Sequence, residues 1–121
     1  MNDRGKLLII DDGKNIRLTL KRALNNAGYS VKTAGSGEIG LQMLQEDKYP
    51  VVLLDFKLPG MDGWEVMEKI KKEDYPVSII MMSDYNDSES FREMEDTDVI
   101  KYLDKPFDFD EVIKLVNNLM D

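Results

Sequence analysis

Short, unbroken apolar runs set between amphipathic stretches constrain this chain more than any other feature. Leu7-Leu8-Ile9-Ile10 and Val51-Val52-Leu53-Leu54 contain no polar residue. A strand with one face in water alternates polar and apolar side chains, whereas a strand buried on both faces does not. Runs at 7–10, 29–34, 51–54, 77–82 and 99–103 alternate with five helical patterns. Ile16, Leu20, Leu24 and Ala27 recur at helical spacing and stop at Gly28. A helix over 36–47 runs through Ile39, Met43 and Leu44, and one over 64–73 turns Val66, Met67 and Ile70 inward. A short, weakly patterned helix covers 88–94, and the last, 109–120, has Val112, Ile113, Val116 and Leu119 on one face. Apolar strands separated by helices predict an α/β fold, a parallel sheet covered on both faces. Its crossovers are right-handed, and ligands bind at the carboxyl ends of its strands. The 121 residues carry no repeat, linker or low-complexity segment, so residues 1–121 read as a single domain.

The polar residues at the ends of those strands carry the chemistry. Asp11 and Asp12 end the first strand, Asp55 the third and Ser83 the fourth, and Lys105 follows the fifth. The topology therefore gathers all five at one edge of the sheet. Three carboxylates in one cleft repel. Two unit charges about 4 Å apart interact by roughly 4 kcal/mol at an effective dielectric near 20, a large part of a domain's stability. A hard divalent cation with oxygen ligands offsets that repulsion, and Mg²⁺ suits an incomplete cage that keeps waters and awaits a phosphate oxygen. The chain has neither cysteine nor histidine. That removes thiolate and imidazole metal sites, cysteine nucleophiles and phosphohistidine carriers, and disfavours zinc. A metal beside a carboxylate and a lysine is equipment for phosphoryl transfer. The aspartate can become an acyl phosphate, and the cations stabilise charge on the equatorial oxygens.

Four segments, in order and at these separations, resemble a response-regulator receiver domain. They are Leu8-Ile9-Ile10-Asp11-Asp12, the run from Leu53 through Asp55-Phe56-Lys57-Leu58-Pro59-Gly60-Met61-Asp62-Gly63, Met81-Met82-Ser83, and Tyr102-Leu103-Asp104-Lys105-Pro106-Phe107. The resemblance implies a flavodoxin-like, doubly wound (βα)5 fold with strand order 2-1-3-4-5. It implies Asp55 as the phosphoacceptor, Asp12 as the direct carboxylate ligand of Mg²⁺, Asp11 acting mainly through water, and the Lys57 carbonyl as a further ligand. Lys105 would pair with Asp55 and then with the phosphoryl group. Ser83 would bind the phosphoryl group, and Ser83 and Tyr102 resemble the two switch positions that alter the face made by the fourth helix, fifth strand and fifth helix. The Lys105-Pro106 bond resembles the family's cis peptide. Such a domain takes its phosphate from a histidine kinase or a histidine phosphotransfer protein and signals to a downstream protein or effector domain. It is a signalling module that catalyses transfer to and from its own aspartate rather than an enzyme, and it acts as a monomer or a phosphorylation-dependent dimer.

Some positions depart from the family pattern. Gly13 follows Asp12 where an acidic residue is usual, and Asp84 follows Ser83 where a small residue is preferred. A carboxylate at 84 would repel the phosphoryl group or narrow access to it. The segment Glu95-Asp96-Thr97-Asp98 lacks the usual Gly-Ala before the fifth strand. Lys57 and Tyr85, each two residues beyond a site residue, would shield an acyl phosphate from water. Replacing both with smaller side chains is expected to speed hydrolysis, and unchanged decay would sink that expectation.

Blander readings compete. Asp11 or Asp12 alone is a plausible helix cap, Asp62 a turn former before Gly63, Tyr102 plain packing, and the eight methionines core filler. Gly35-Ser36-Gly37-Glu38-Ile39-Gly40 matches a dinucleotide-binding fingerprint. That reading leaves Asp11, Asp12, Ser83 and Lys105 unexplained, and glycines that start a helix tightly are the simpler account. A Mg²⁺-dependent phosphohydrolase would need a second aspartate two residues after Asp55, where Lys57 stands. A phosphate-independent interaction module remains an alternative because of Asp84. The net charge of −8 argues against direct nucleic-acid binding and against anionic membranes. No apolar run approaches the roughly 18 residues of a membrane span, and the N-terminus has no leader-like pattern, so a cytoplasmic location is expected.

Overall fold

The structure is a computed structural model that describes residues 4–84 and 99–120. Its elements in chain order are β1 (Lys6–Ile10), α1 (Lys14–Asn26), β2 (Ser30–Ala34), α2 (Gly37–Glu46), β3 (Val51–Asp55), α3 (Gly63–Lys72), β4 (Ser78–Asp84), β5 (Val99–Lys105) and α4 (Phe109–Met120). The helix expected over 88–94 lies outside the described residues. The five strands form one sheet in the order β2-β1-β3-β4-β5, and every neighbouring pair is parallel.

The side-chain alternation of a strand divides the core into two layers. Leu8, Ile10, Val52, Leu54, Ile79 and Met81 face one side, where Leu44 of α2 and Val66, Met67 and Ile70 of α3 cover them. Leu7, Ile9, Val51, Leu53, Ile80 and Met82 face the other, against Leu20 and Leu24 of α1 and Val112 and Val116 of α4. Leu7 to Ile10, and Leu53 and Leu54, have no exposed surface, so truncating any of these leucines to alanine costs about 2–5 kcal/mol. Met67, Met81 and Met82 are likewise fully buried packing residues.

Local chemistry fixes the helix ends. Ser36 Oγ accepts from Ile39 N at 3.2 Å, and Asp62 Oδ1 accepts from Glu65 N at 2.9 Å, so both residues cap the helices that follow them. Asp62 is thus more than a turn former. Gly28, just after α1, has φ +104°, a conformation that favours glycine. Ile39, one of the apolar positions that mark this helix in the sequence, is 50% exposed. Gly37, Gly40 and Leu44 are the buried residues of α2, a stripe at three- and four-residue spacing that leaves Ile39 on the outer side. Glycine at 37 and 40 lets α2 approach the sheet and α3. A Cβ at Gly40 would lie 2.4 Å from Ile10 Cδ1, and one at Gly37 would lie 2.6 Å from Val66 Cγ2. These two glycines of the fingerprint-like run serve close packing.

Candidate functional site

The carboxyl edge of the sheet brings the expected residues together because β1, β3 and β4 all run the same way and end within a residue or two of one another in register. Ile10 lies opposite Leu54, and Asp55 opposite Met82. The next residues, Asp11 and Ser83, are 1% exposed, and Asp55 is 4% exposed. Asp12 is exposed. Carboxylate oxygens of Asp11, Asp12 and Asp55 all lie within 4.8 Å of one another. Neither Asp11 nor Asp12 caps α1; its N-cap is Gly13, without a side-chain cap. Instead Asp11 Oδ1 accepts from Gly13 N at 2.8 Å, while its Oδ2 accepts from Lys105 Nζ at 3.0 Å.

Lys105 therefore serves two carboxylates. Its ammonium is 3.4 Å from Asp55 Oδ1, farther than from Asp11. The expected Lys105–Asp55 pair is present as the longer arm of a bridge. Burial pushes the Asp55 carboxyl up, the neighbouring Asp11 charge adds to that, and Lys105 only partly offsets them, leaving a pKa of about 6. Burial works to lower the Lys105 pKa, but the hydrogen bond to Asp11 and the charge of Asp55 outweigh it and hold the ammonium above its ordinary value.

Ser83 Oγ is buried and has no hydrogen-bond partner among the described residues. Its place at the end of β4 puts it beside the acidic cluster. Tyr102 is half-buried and packs against the layer that includes α2 and α3. The Lys105-Pro106 peptide bond is cis. Lys57 projects outward, and its backbone N–H makes a long 3.4 Å contact with Asp55 Oδ1. The Asp84 side chain and Tyr85 lie outside what is described. Gly63 closes the loop beyond Asp55. Its N–H donates to Phe56 O at 2.7 Å, and a Cβ there would come within 2.6 Å of Asp55 O.

One neighbour escaped the sequence reading. Arg17, half-buried on α1, donates from Nη1 to the backbone oxygen of Asp11 at 2.8 Å. In sequence it is only a polar residue between inward positions of α1, and nothing local signals that contact.

A buried carboxylate crowded by two others and bridged by a lysine, at the switch end of a doubly wound sheet, defines the receiver class of signalling domain. The response regulator receiver domain family matches residues 7–117, and the chain belongs to that family, the receivers of two-component response regulators. It is 35% identical over 107 residues to sporulation initiation phosphotransferase F of Bacillus subtilis, covering 88% of this chain and 86% of that protein. It is 37% identical over 114 residues to the DNA-binding transcriptional regulator NtrC of Klebsiella pneumoniae, covering 94% of this chain but 24% of that protein. Among solved structures it resembles the response regulator TrrA of Thermotoga maritima in complex with Mg²⁺-BeF, at 34% identity and TM-score 0.85 over 95% of this chain and 98% of that one. A CheY-like receiver from Methanospirillum hungatei matches at 31% identity and TM-score 0.85, over 97% and 94% of the two chains. Among the described residues no helix is long and apolar enough to cross a membrane.

Proposed function

We propose that Asp55 accepts a phosphoryl group from the phosphohistidine of a histidine kinase or phosphotransfer protein, with Mg²⁺ held by Asp12, Asp55, the Lys57 carbonyl and, through water, Asp11. The observation that carries this reading is the convergence of Asp11, Asp12 and Asp55 oxygens within 4.8 Å beside the Lys105 ammonium. An all-oxygen donor set with an exposed member fits a hard cation that keeps part of its water shell. When bound, Mg²⁺ neutralises charge on the carboxylates and on the phosphoryl oxygens.

A carboxylate oxygen of Asp55 forms the new bond to phosphorus as the bond from phosphorus to the imidazole nitrogen breaks. The imidazole leaves with that electron pair and takes a proton from solvent. Asp55 must be ionised to attack, and with a pKa of about 6 it is mostly so at neutral pH. Lys105, already between Asp11 and Asp55, is placed to follow the negative charge onto the phosphoryl group. Ser83, whose hydroxyl lacks a partner among the described residues, donates to a phosphoryl oxygen. Its inward shift lets the Tyr102 ring follow, and the face that includes β5 and α4 changes for a downstream protein or effector domain. The exposed Lys57 side chain shields the acyl phosphate from water. We take residues 1–121 as one receiver unit acting in the cytoplasm.

The test is intact mass after incubation with acetyl phosphate and Mg²⁺. One phosphoryl adduct is expected on the wild type and none on Asp55→Asn or without metal. An adduct that persists in Asp55→Asn would overturn the assignment of the acceptor. Absence of any adduct on the wild type would overturn phospho-acceptance itself.

A further inference from the structure

The peptide group that joins Asp11 to Asp12 is part of the acidic cluster's scaffold, because a planar peptide fixes the Asp11 carbonyl and the Asp12 N–H together. Its position lies just past the end of β1. The Asp11 N–H still donates to Ala34 O at 3.1 Å, but β1 ends at Ile10, so the Asp11 carbonyl lies beyond the regular ladder. A backbone oxygen in so buried a place needs a donor. Arg17 Nη1 supplies it at 2.8 Å.

The guanidinium passes close to Gly35, between β2 and α2. An ideal Cβ at Gly35 would lie 3.3 Å from Arg17 Nη1, 3.6 Å from Cζ and 3.8 Å from Nη2. Gly35 does not have the positive φ found at Gly5, Gly28 and Gly60, so its backbone angle does not demand glycine. The clearance it leaves is occupied by Arg17. Arg17 thus bonds the turn between the two aspartates and fills the space beside the β2–α2 connection.

Building on the Mg²⁺ reading above, we propose that Arg17, seated on Gly35, is a positioning residue that fixes the Asp11–Asp12 peptide and so sets Asp12 in register with Asp55 for the metal. The role is distinguishable from a charge effect by sign. Removing a cation near three carboxylates raises their affinity for Mg²⁺ if charge alone matters. Removing a positioning contact lowers it, and outer-shell partners of metal ligands typically contribute about 10–100-fold in affinity.

The experiment is calorimetric Mg²⁺ titration of the full chain as wild type, Arg17→Met, Arg17→Lys and Gly35→Ala, without any phosphodonor. Thermal unfolding of each establishes that the measurement is made on folded protein. Methionine keeps the apolar stem and loses the donors. We expect Arg17→Met to bind Mg²⁺ about tenfold more weakly, Arg17→Lys to fall between it and the wild type, and Gly35→Ala to shift the same way by less. The Asp12 backbone amide should also move in metal-free ¹⁵N spectra of Arg17→Met, since it shares the peptide that loses its partner. Affinity that is unchanged or tighter in a folded Arg17→Met overturns the inference alone. If Arg17→Met does not fold, Gly35→Ala decides, and wild-type affinity there overturns it. A wild type that takes no Mg²⁺ overturns the reading of the metal site and this inference together.

Discussion

Two lysine–aspartate pairs sit at opposite edges of the same sheet and behave in opposite ways. At the amino edge, Lys6 Nζ meets Asp47 Oδ2 at 2.5 Å, one cation for one anion, with both side chains about half exposed at 46% and 47%. The hydrogen bond from Lys6 holds the Asp47 carboxyl below its ordinary pKa. At the carboxyl edge, Lys105 is shared between Asp11 and Asp55, whose side chains are only 2% and 6% exposed. There the Asp55 carboxyl is pushed up to about 6. The same functional groups give a satisfied pair in one place and an under-compensated cluster in the other. Burial and stoichiometry make the difference: two buried carboxylates and an exposed third around one ammonium leave a deficit of positive charge, which a divalent cation with oxygen ligands would relieve.

The contrast breaks most sharply when each lysine is removed in turn. Lys105→Met leaves two buried carboxylates without their cation, and losing one partner of such a group costs about 3–5 kcal/mol. Its melting temperature without metal should fall by many degrees at pH 7 and by less near pH 4, where Asp55 is protonated. Lys6→Met should leave the melting temperature close to wild type, because an exposed pair is worth little. Equal effects of the two substitutions would erase the distinction between the edges.

A smaller effect, of opposite sign, sharpens it. The folded pKa of Asp55 is about 6 against an ordinary 3.8, so between those values the folded state holds more protons than the unfolded one. That contribution to stability is fully present below about pH 4 and is lost as pH rises through about 6. Asp55→Asn removes the buried charge and should stabilise the metal-free protein at pH 7 by on the order of 2 kcal/mol. The gain should vanish toward pH 4. Thermal melts across pH 4–7 check it, and a mutant that is less stable at pH 7 would refute the account of Asp55 as a strained anion.

Most of this architecture was legible in the sequence for a physical reason. Leu7 to Ile10 and Val51 to Leu54 can be continuously apolar only if both faces are covered, and that places Asp11 and Asp55 at carboxyl strand ends of one parallel sheet; that the two strands are neighbours comes from the resemblance to the receiver family. Asp55, Asp12, Asp11, Ser83 and Lys105 come to one edge as the topology requires. What sequence did not reveal depends on side-chain direction and on distances of a few tenths of an ångström. Ile39, Met43 and Leu44 mark α2 in the sequence, but the close approach allowed by Gly37 and Gly40 buries a stripe that leaves Ile39 outside. The preference of Lys105 for Asp11 over Asp55 is a matter of 3.0 against 3.4 Å. Arg17 reaches a backbone atom six residues away, a partner that no pattern of side-chain types encodes.

Gly63 has a mechanical consequence for the acceptor loop. Its amide is hydrogen-bonded to Phe56 O, and its Cα has no clearance for even one more carbon against the Asp55–Phe56 backbone. The first residue of α3 is therefore clamped to the strand end that bears the acceptor. The connection at 57–62 is a closed hoop with both feet on the same spot. Any adjustment around a new group on Asp55 must be taken up inside that hoop, between Lys57 and Asp62, because α3 cannot slide to supply slack.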